Sequence, residues 1–449
     1  MSGRRFLGLL GCGLALLALT ASGLYAQRAD NLDGFVVAAL VQGGVYLLAL
    51  GLIWRCTGSR WGLAVILGVA VAMRLAILVA PPFLSTDVYR YVWDGRVLGA
   101  GINPYRYIPT DPNLAQLRDA EIFPQINRSN YAHTIYPPAA EAIFFAVTRV
   151  SATVIAMKAA MVAFEAFAAL LLWRLLVAAG LPATRIIVYA WHPLPVWEFA
   201  GSGHIDAAVI VLILLALWSR RRFAGGATGV ALALGVLVKF YPAVLFPALW
   251  RREWRTPAAF AAVLALAYLP FLGIGWGVFG FLPGYMAEEG FTAGGGGFYL
   301  WSAATALLAL GGLPDTAYIA AAACLLAGLG LYLVVRREDA DRAVFGSALL
   351  AAAFILLLSP HYPWYFAWLI VFACLVPSVS LLWLTLASFL LYLVPVGSQL
   401  VRDRHRFFVE SVLYVPFLVL VAIDLWRRRS PGNNPGAAEE QLRHGDNRG

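Results

Sequence analysis

The chain has 449 residues, of which 61% are hydrophobic and 13% charged, and its 33 lysines and arginines outweigh 24 acids to give a net charge of +9. Soluble domains carry about 25% charged residues, so this composition excludes the soluble, disordered, collagen-like and disulfide-rich secreted classes. What remains is an all-α polytopic membrane protein with about 11–14 membrane helices, some of them short and broken.

The first apolar run, 6–24, follows MSGRR. The ASGLYAQ stretch after it is a poor cleavage site, so it reads as an uncleaved span. Runs at 35–54 and 62–80 come next, and a further series extends from about 152 to 426. Cys12, Cys56, Cys324 and Cys374 sit in or beside such runs, without metal or disulfide spacing, as small packing residues. Lys158 and Lys239 are the only lysines, so the positive excess is arginine and sets orientation; it is no nucleic-acid footprint. With Arg4 and Arg5 in the cytoplasm, Arg55, Arg60, Arg174, Arg185 and the clusters at 220–222, 251–255, 336–342 and 427–429 all fall inside. The organisation expected is an extra pair of spans over 1–60, a transmembrane domain over 61–426 with a helical outer loop at 81–136, and a disordered cytoplasmic tail at 427–449.

The outer loop reads FLSTDVYRYVWDGRVLGAGINPYRYIP from Phe83. Asp87, Arg90, Tyr91 and Asp94 fall at i, i+3, i+4 and i+7, which places both carboxylates and the arginine on one helical face. An Asp–Arg ladder on an interfacial helix would have the same spacing. The number of acids, arginines and aromatics directly after a span favours a functional site. The loop ends in AHTIYPP, where Tyr136 is either a sugar-stacking aromatic or an interface anchor.

The next cluster is WHPLPVWEFAGSGHID, which carries Glu198, His204 and Asp206 near the outer face. Ionisable groups at membrane depth are costly and are functional candidates. They lack metal-ligand spacing, and Asp206 also suits the start of the following helix. The run 228–250 lies between two cytoplasmic arginine clusters and breaks at Lys239-Phe-Tyr241-Pro242. A pair of short helices that dips in and returns satisfies both clusters, and places Lys239 and Tyr241 at a polar cavity where the lysine meets a phosphate. SPHYPWY at 359–365 makes a tight outer turn in which His361 is a substrate contact or part of an aromatic belt. Arg402, Arg404 and Arg406 break the charge rule by falling outside, and are offered as further phosphate contacts.

In this order, STDVYRYVWDGRVLGAGINPY, HTIYPPAAE, WHPLPVWEFAGSGHID, KFYP and SPHYPWYF resemble the integral-membrane mannosyltransferase-like proteins of glycosyltransferase family 87, which have the GT-C fold and include relatives of the mycobacterial phosphatidylinositol-mannoside mannosyltransferases. The likeness covers roughly 75–366. It implies inverting transfer of a hexose, mannose by the family's habit, from a polyprenyl-phosphate sugar to a lipid or glycan acceptor at the outer face of a bacterial plasma membrane. It also implies that Asp87 is the catalytic base. The wider fold class often has D-x-D there, and this chain has Ser85-Thr86-Asp87, so no divalent metal or other cofactor is expected. Arg90 would orient Asp87. Lipid-linked sugar, acceptor and membrane lipids are the expected partners. A flippase for lipid-linked sugars is the main alternative and an envelope-assembly scaffold a third. The chain has no inverted repeat, which speaks against the transporter.

Overall fold

The computed structural model describes residues 2–54, 59–291, 297–308, 314–336, 340–394 and 399–429. Among them every regular element is helical and there is no strand. Among the described residues, seven stretches are long and apolar enough to cross a membrane: Gly3–Arg28, Leu32–Ile53, Arg60–Leu78, Val154–Ala178, Arg255–Glu288, Asp315–Val335 and Arg404–Asp424. Five shorter apolar helices accompany them, Gly225–Val236, Tyr299–Leu308, Arg342–Leu358, Pro363–Leu375 and Val379–Leu393. The molecule is a multi-pass all-α membrane protein, as the composition requires.

The first two helices pack into the same core as the rest. Gly13 and Gly23 let Trp191 and Trp197 approach their backbone, and a Cβ at either position would crowd an indole or the side chain of Val69. Tyr46 donates to the carbonyl of Val188 at 2.8 Å, and Gln42 accepts from the Trp197 indole at 2.8 Å. Lys158 is buried and donates to the carbonyls of Ile77 and Ala80, so one of the two lysines neutralises the C-terminal dipole of the Arg60–Leu78 helix.

Residues 183–205 form short pieces in place of one long helix. Prolines 193 and 195 interrupt the ladder, and the buried His192 holds the turn by accepting from Leu194 N at 3.1 Å and meeting Thr385 Oγ1 at 2.9 Å. A π turn, Val196–Gly201, carries Glu198, and Gly203, at φ +75°, turns the chain into the Asp206–Arg221 helix.

The outer-loop helix forms over Asp87–Gly99. It lies against Pro138–Val150, with Tyr91 stacked on Phe144 at 4.5 Å between ring centroids. A Cβ on Gly95 would meet the Phe144 carbonyl oxygen at 2.5 Å, so only glycine permits this approach. Of the two readings of this spacing, the less favoured one, the Asp–Arg ladder, is present between Arg90 and Asp94: Arg90 Nε donates to Asp94 Oδ1 at 2.8 Å and both residues are buried. Asp94→Ala leaves that guanidinium without its counter-charge and is expected to destabilise the fold by about 3–5 kcal/mol. A thermal melt of the purified variant in detergent measures the loss.

The broken hairpin is also present. Gly225–Val236 has 12 residues, which at 1.5 Å per residue is about 18 Å, well short of the ~30 Å apolar layer. The chain then reverses at Lys239 and returns through Tyr241–Leu245 and Phe246–Leu249. Thr256 Oγ1 donates to the carbonyl of Gly225 at 3.1 Å, so the returning chain meets the start of the helix. Both arginine clusters therefore lie at the same end of the hairpin.

Candidate active site

Asp87 opens its helix, and its side chain is 24% exposed against 2% for Asp94, so of the two carboxylates on this helix Asp87 is the accessible one. Its backbone N–H donates to Ser85 Oγ at 3.2 Å, and Oδ1 accepts from Asn127 Nδ2 at 3.0 Å. It lines a cavity of about 350 Å³ together with Arg90, Asn127, Arg128, Tyr136 and Lys239. Burial raises the Asp87 carboxyl above its ordinary value. Lys239, the Asn127 amide and Arg128 pull it back, and Asp206 adds a smaller upward push.

Lys239 stands at the apex of the hairpin, as its break requires. Its Nζ is 2.6 Å from Asp206 Oδ2 and 4.9 Å from the centre of the Tyr365 ring. Tyr241 donates to Asp206 Oδ1 at 3.1 Å. Asp206 is the first residue of its helix, where the dipole favours a carboxylate, and it holds both hairpin groups. An ammonium has three donors, so this pairing leaves two for a ligand.

A second cavity of about 400 Å³ adjoins the first. It is lined largely by apolar side chains, among them Phe240, Val244, Leu282, Phe291, Phe354 and Leu358. The two cavities share Ile135, Tyr136, Lys239, Tyr285 and Tyr365. The ammonium thus stands where a polar chamber passes into an apolar groove. His361 lines the groove with its Nδ1 2.9 Å from Glu289 Oε2.

Several expectations are corrected. Arg90 lines the chamber but does not orient Asp87. Its guanidinium is held by Asp94 and by the Ala132 carbonyl at 3.1 Å. Asn127 holds Asp87 instead. Asp94, Glu198 and His204 are buried and line neither cavity. They stand behind the lining side chains, and so does Asp206, which is equally buried and lines neither cavity. Arg404 is exposed and also lines neither cavity, and the side chain of Arg402 lies outside the described residues. The cation that lines the chamber in their place is Arg128, in a left-handed conformation at φ +54° and paired with Glu288 Oε2 at 2.8 Å. Spacing along a helix carries no sign of Asn127, which reaches Asp87 from 40 residues away, or of Arg128 beside it in the chamber lining. The polar run Asn127-Arg-Ser-Asn130 inside the loop was the one available signal.

A family model described as Glycosyltransferase family 87 matches residues 134–360, half of the chain, which takes in His204, Asp206 and Lys239, begins beyond Asp87 and ends just before His361. No curated protein and no solved structure matches the chain.

Proposed function

The chain belongs to glycosyltransferase family 87, and on that premise we propose that it transfers mannose, with inversion, from a polyprenyl-phosphate sugar to a lipid or glycan acceptor at the outer face of a bacterial plasma membrane. The observation that carries this reading is the junction at Lys239. A polyprenyl-phosphate sugar is a polar head joined through one phosphate to a long apolar tail. The polar chamber, the ammonium and the apolar groove occur in that order.

Asp87 takes the proton of the acceptor hydroxyl as its oxygen attacks the anomeric carbon. The bond from that carbon to the phosphate oxygen breaks, and the electron pair leaves with the phosphate. Lys239 and Arg128 stabilise the charge that develops there, so the leaving group needs no general acid. Tyr136 and Tyr365 line both cavities at the same junction, beside the phosphate end of the donor. Tight fixation of donor and acceptor supplies much of the rate, since it removes the entropy of bringing them together.

Transfer proceeds without a divalent cation in this reading, because a monophosphate can be neutralised by lysine and arginine. Addition of a chelator to the purified protein is expected to leave turnover unchanged within about twofold, the scale of experimental scatter against the several kcal/mol a catalytic metal supplies. Loss of activity that returns with magnesium or manganese contradicts it. The donor is identified by mass spectrometry of lipid that copurifies with Asp87→Asn. A polyprenyl monophosphate hexose is the expected species, and a nucleotide sugar in its place refutes the assignment.

A further inference from the structure

We propose that His204 is a positioning residue for Asp87: its Nδ1–H donates to the carboxylate, while Glu198, carrying a proton, donates to Nε2. The imidazole is fully buried. Its Nδ1 lies 4.0 Å from Asp87 Oδ2 and its Nε2 3.5 Å from Glu198 Oε2. Both ring nitrogens and Glu198 Oε2 lack a hydrogen-bond partner among the described residues. Buried polar atoms are almost always paired. Here three unpaired atoms face the same short row, and a small shift closes both gaps. Hydrogen bonds of this kind are often long until substrate arrives.

The row is held from three sides. The ring stacks on Trp364 at 4.1 Å between centroids, and Trp364 lines the chamber, so the imidazole lies directly behind the chamber wall. The backbone N–H of His204 donates to the Glu198 carbonyl at 3.0 Å, which ties the imidazole to the π turn that carries Glu198. Tyr392 donates to Glu198 Oε1 at 2.7 Å and leaves Oε2 for the imidazole.

The donor count sets the direction of each bond. A neutral imidazole has one donor and one acceptor. An ionised Asp87 only accepts, so Nδ1 must donate to it and Nε2 must accept. The group facing Nε2 is Glu198, which must then supply the proton. Burial, and then the Lys239 ammonium, push His204 down from its ordinary value, so it stays neutral as this scheme requires. Asp87 also faces Lys239 and Arg128, which favour its carboxylate, Asn127, which donates to it, and Asp206, which opposes it.

The test is a pH titration of Asp87 in the purified full-length protein by infrared difference spectroscopy, with the carboxyl band assigned by its loss in Asp87→Asn. His204→Phe preserves a ring on Trp364 and removes both nitrogens, and is expected to raise the Asp87 midpoint by about one pH unit, the scale of one hydrogen bond to a charged group. Glu198→Gln keeps a donor toward Nε2 and leaves the midpoint within about 0.3 unit, whereas Glu198→Leu moves it in the direction of the phenylalanine variant and carries the test should that variant fail to fold. An unchanged midpoint in His204→Phe or Glu198→Leu overturns the proposal. The inference builds on the reading of Asp87 as base, yet the titration needs no substrate. A stationary midpoint rejects the role of His204 alone, and turnover retained by Asp87→Asn rejects the base.

Discussion

Replacing Asp87 with asparagine is expected to lower turnover at least about a hundredfold, the scale of general-base catalysis, while folding and donor binding survive. Asparagine keeps the shape of the side chain and its contact with Asn127, but it cannot take a proton from the acceptor. The pH profile of the unaltered protein bears on the same residue. The ionised carboxylate is the active form, so turnover falls as pH drops through its pKa. Burial raises that pKa, and Lys239, Asn127 and Arg128 only partly oppose it. The acid limb should therefore lie above the ~3.9 of a solvated aspartate. An asparagine variant that keeps more than about a tenth of the turnover, against the 10²–10⁴ that a base supplies, removes Asp87 from the chemistry.

Lys239→Met is expected to weaken donor binding by roughly tenfold to a hundredfold, about 1.4–3 kcal/mol, the value of hydrogen bonds to a charged group. Methionine matches the length of lysine and loses only the charge. The variant leaves Asp206 without its cation but with Tyr241 still donating at 3.1 Å, so the fold should suffer less than binding does. Titration with a short-chain polyprenyl phosphate, followed by quenching of tryptophan fluorescence, separates the two effects. Equal affinity in both proteins would show that the ammonium serves Asp206 alone. The hairpin is tested independently by a single cysteine at Tyr241 in a cysteine-free background. Labelling by an impermeant reagent from the outside is expected, and labelling only from the cytoplasm would reverse the topology.

Much of the fold was legible because membrane chains obey two strong constraints, apolar length and arginine sidedness. The two arginine clusters at 220–222 and 251–255 demanded a return between them, and the contact of Thr256 with Gly225 provides it. The Arg90–Asp94 ladder was legible for a local reason, since i,i+4 partners meet on any helix. Of the charged residues singled out in the sequence, Asp87 and Lys239 line one chamber and Asp206 holds Lys239 from behind it; charges this costly to bury stand out in a sequence before their partners are known. The partners themselves were not legible. Pairing of Lys239 with Asp206 joins two segments 33 positions apart, and Asn127 comes to Asp87 from across the loop. Arg404 shows the opposite failure: the charge rule marked it as exceptional, but an exception to sidedness says nothing about which cavity a residue faces.

The central claim is that a lipid-linked sugar is consumed here, not merely carried. The most direct measurement supplies purified protein in proteoliposomes with radiolabelled polyprenyl-phosphate mannose and a membrane-lipid extract, and follows both the label and the anomeric configuration of any product. The account predicts a new mannosyl glycoside of inverted configuration, formed by the unaltered protein and absent with Asp87→Asn. Donor that moves between leaflets with its sugar–phosphate bond intact, at the same rate in both proteins, would contradict it.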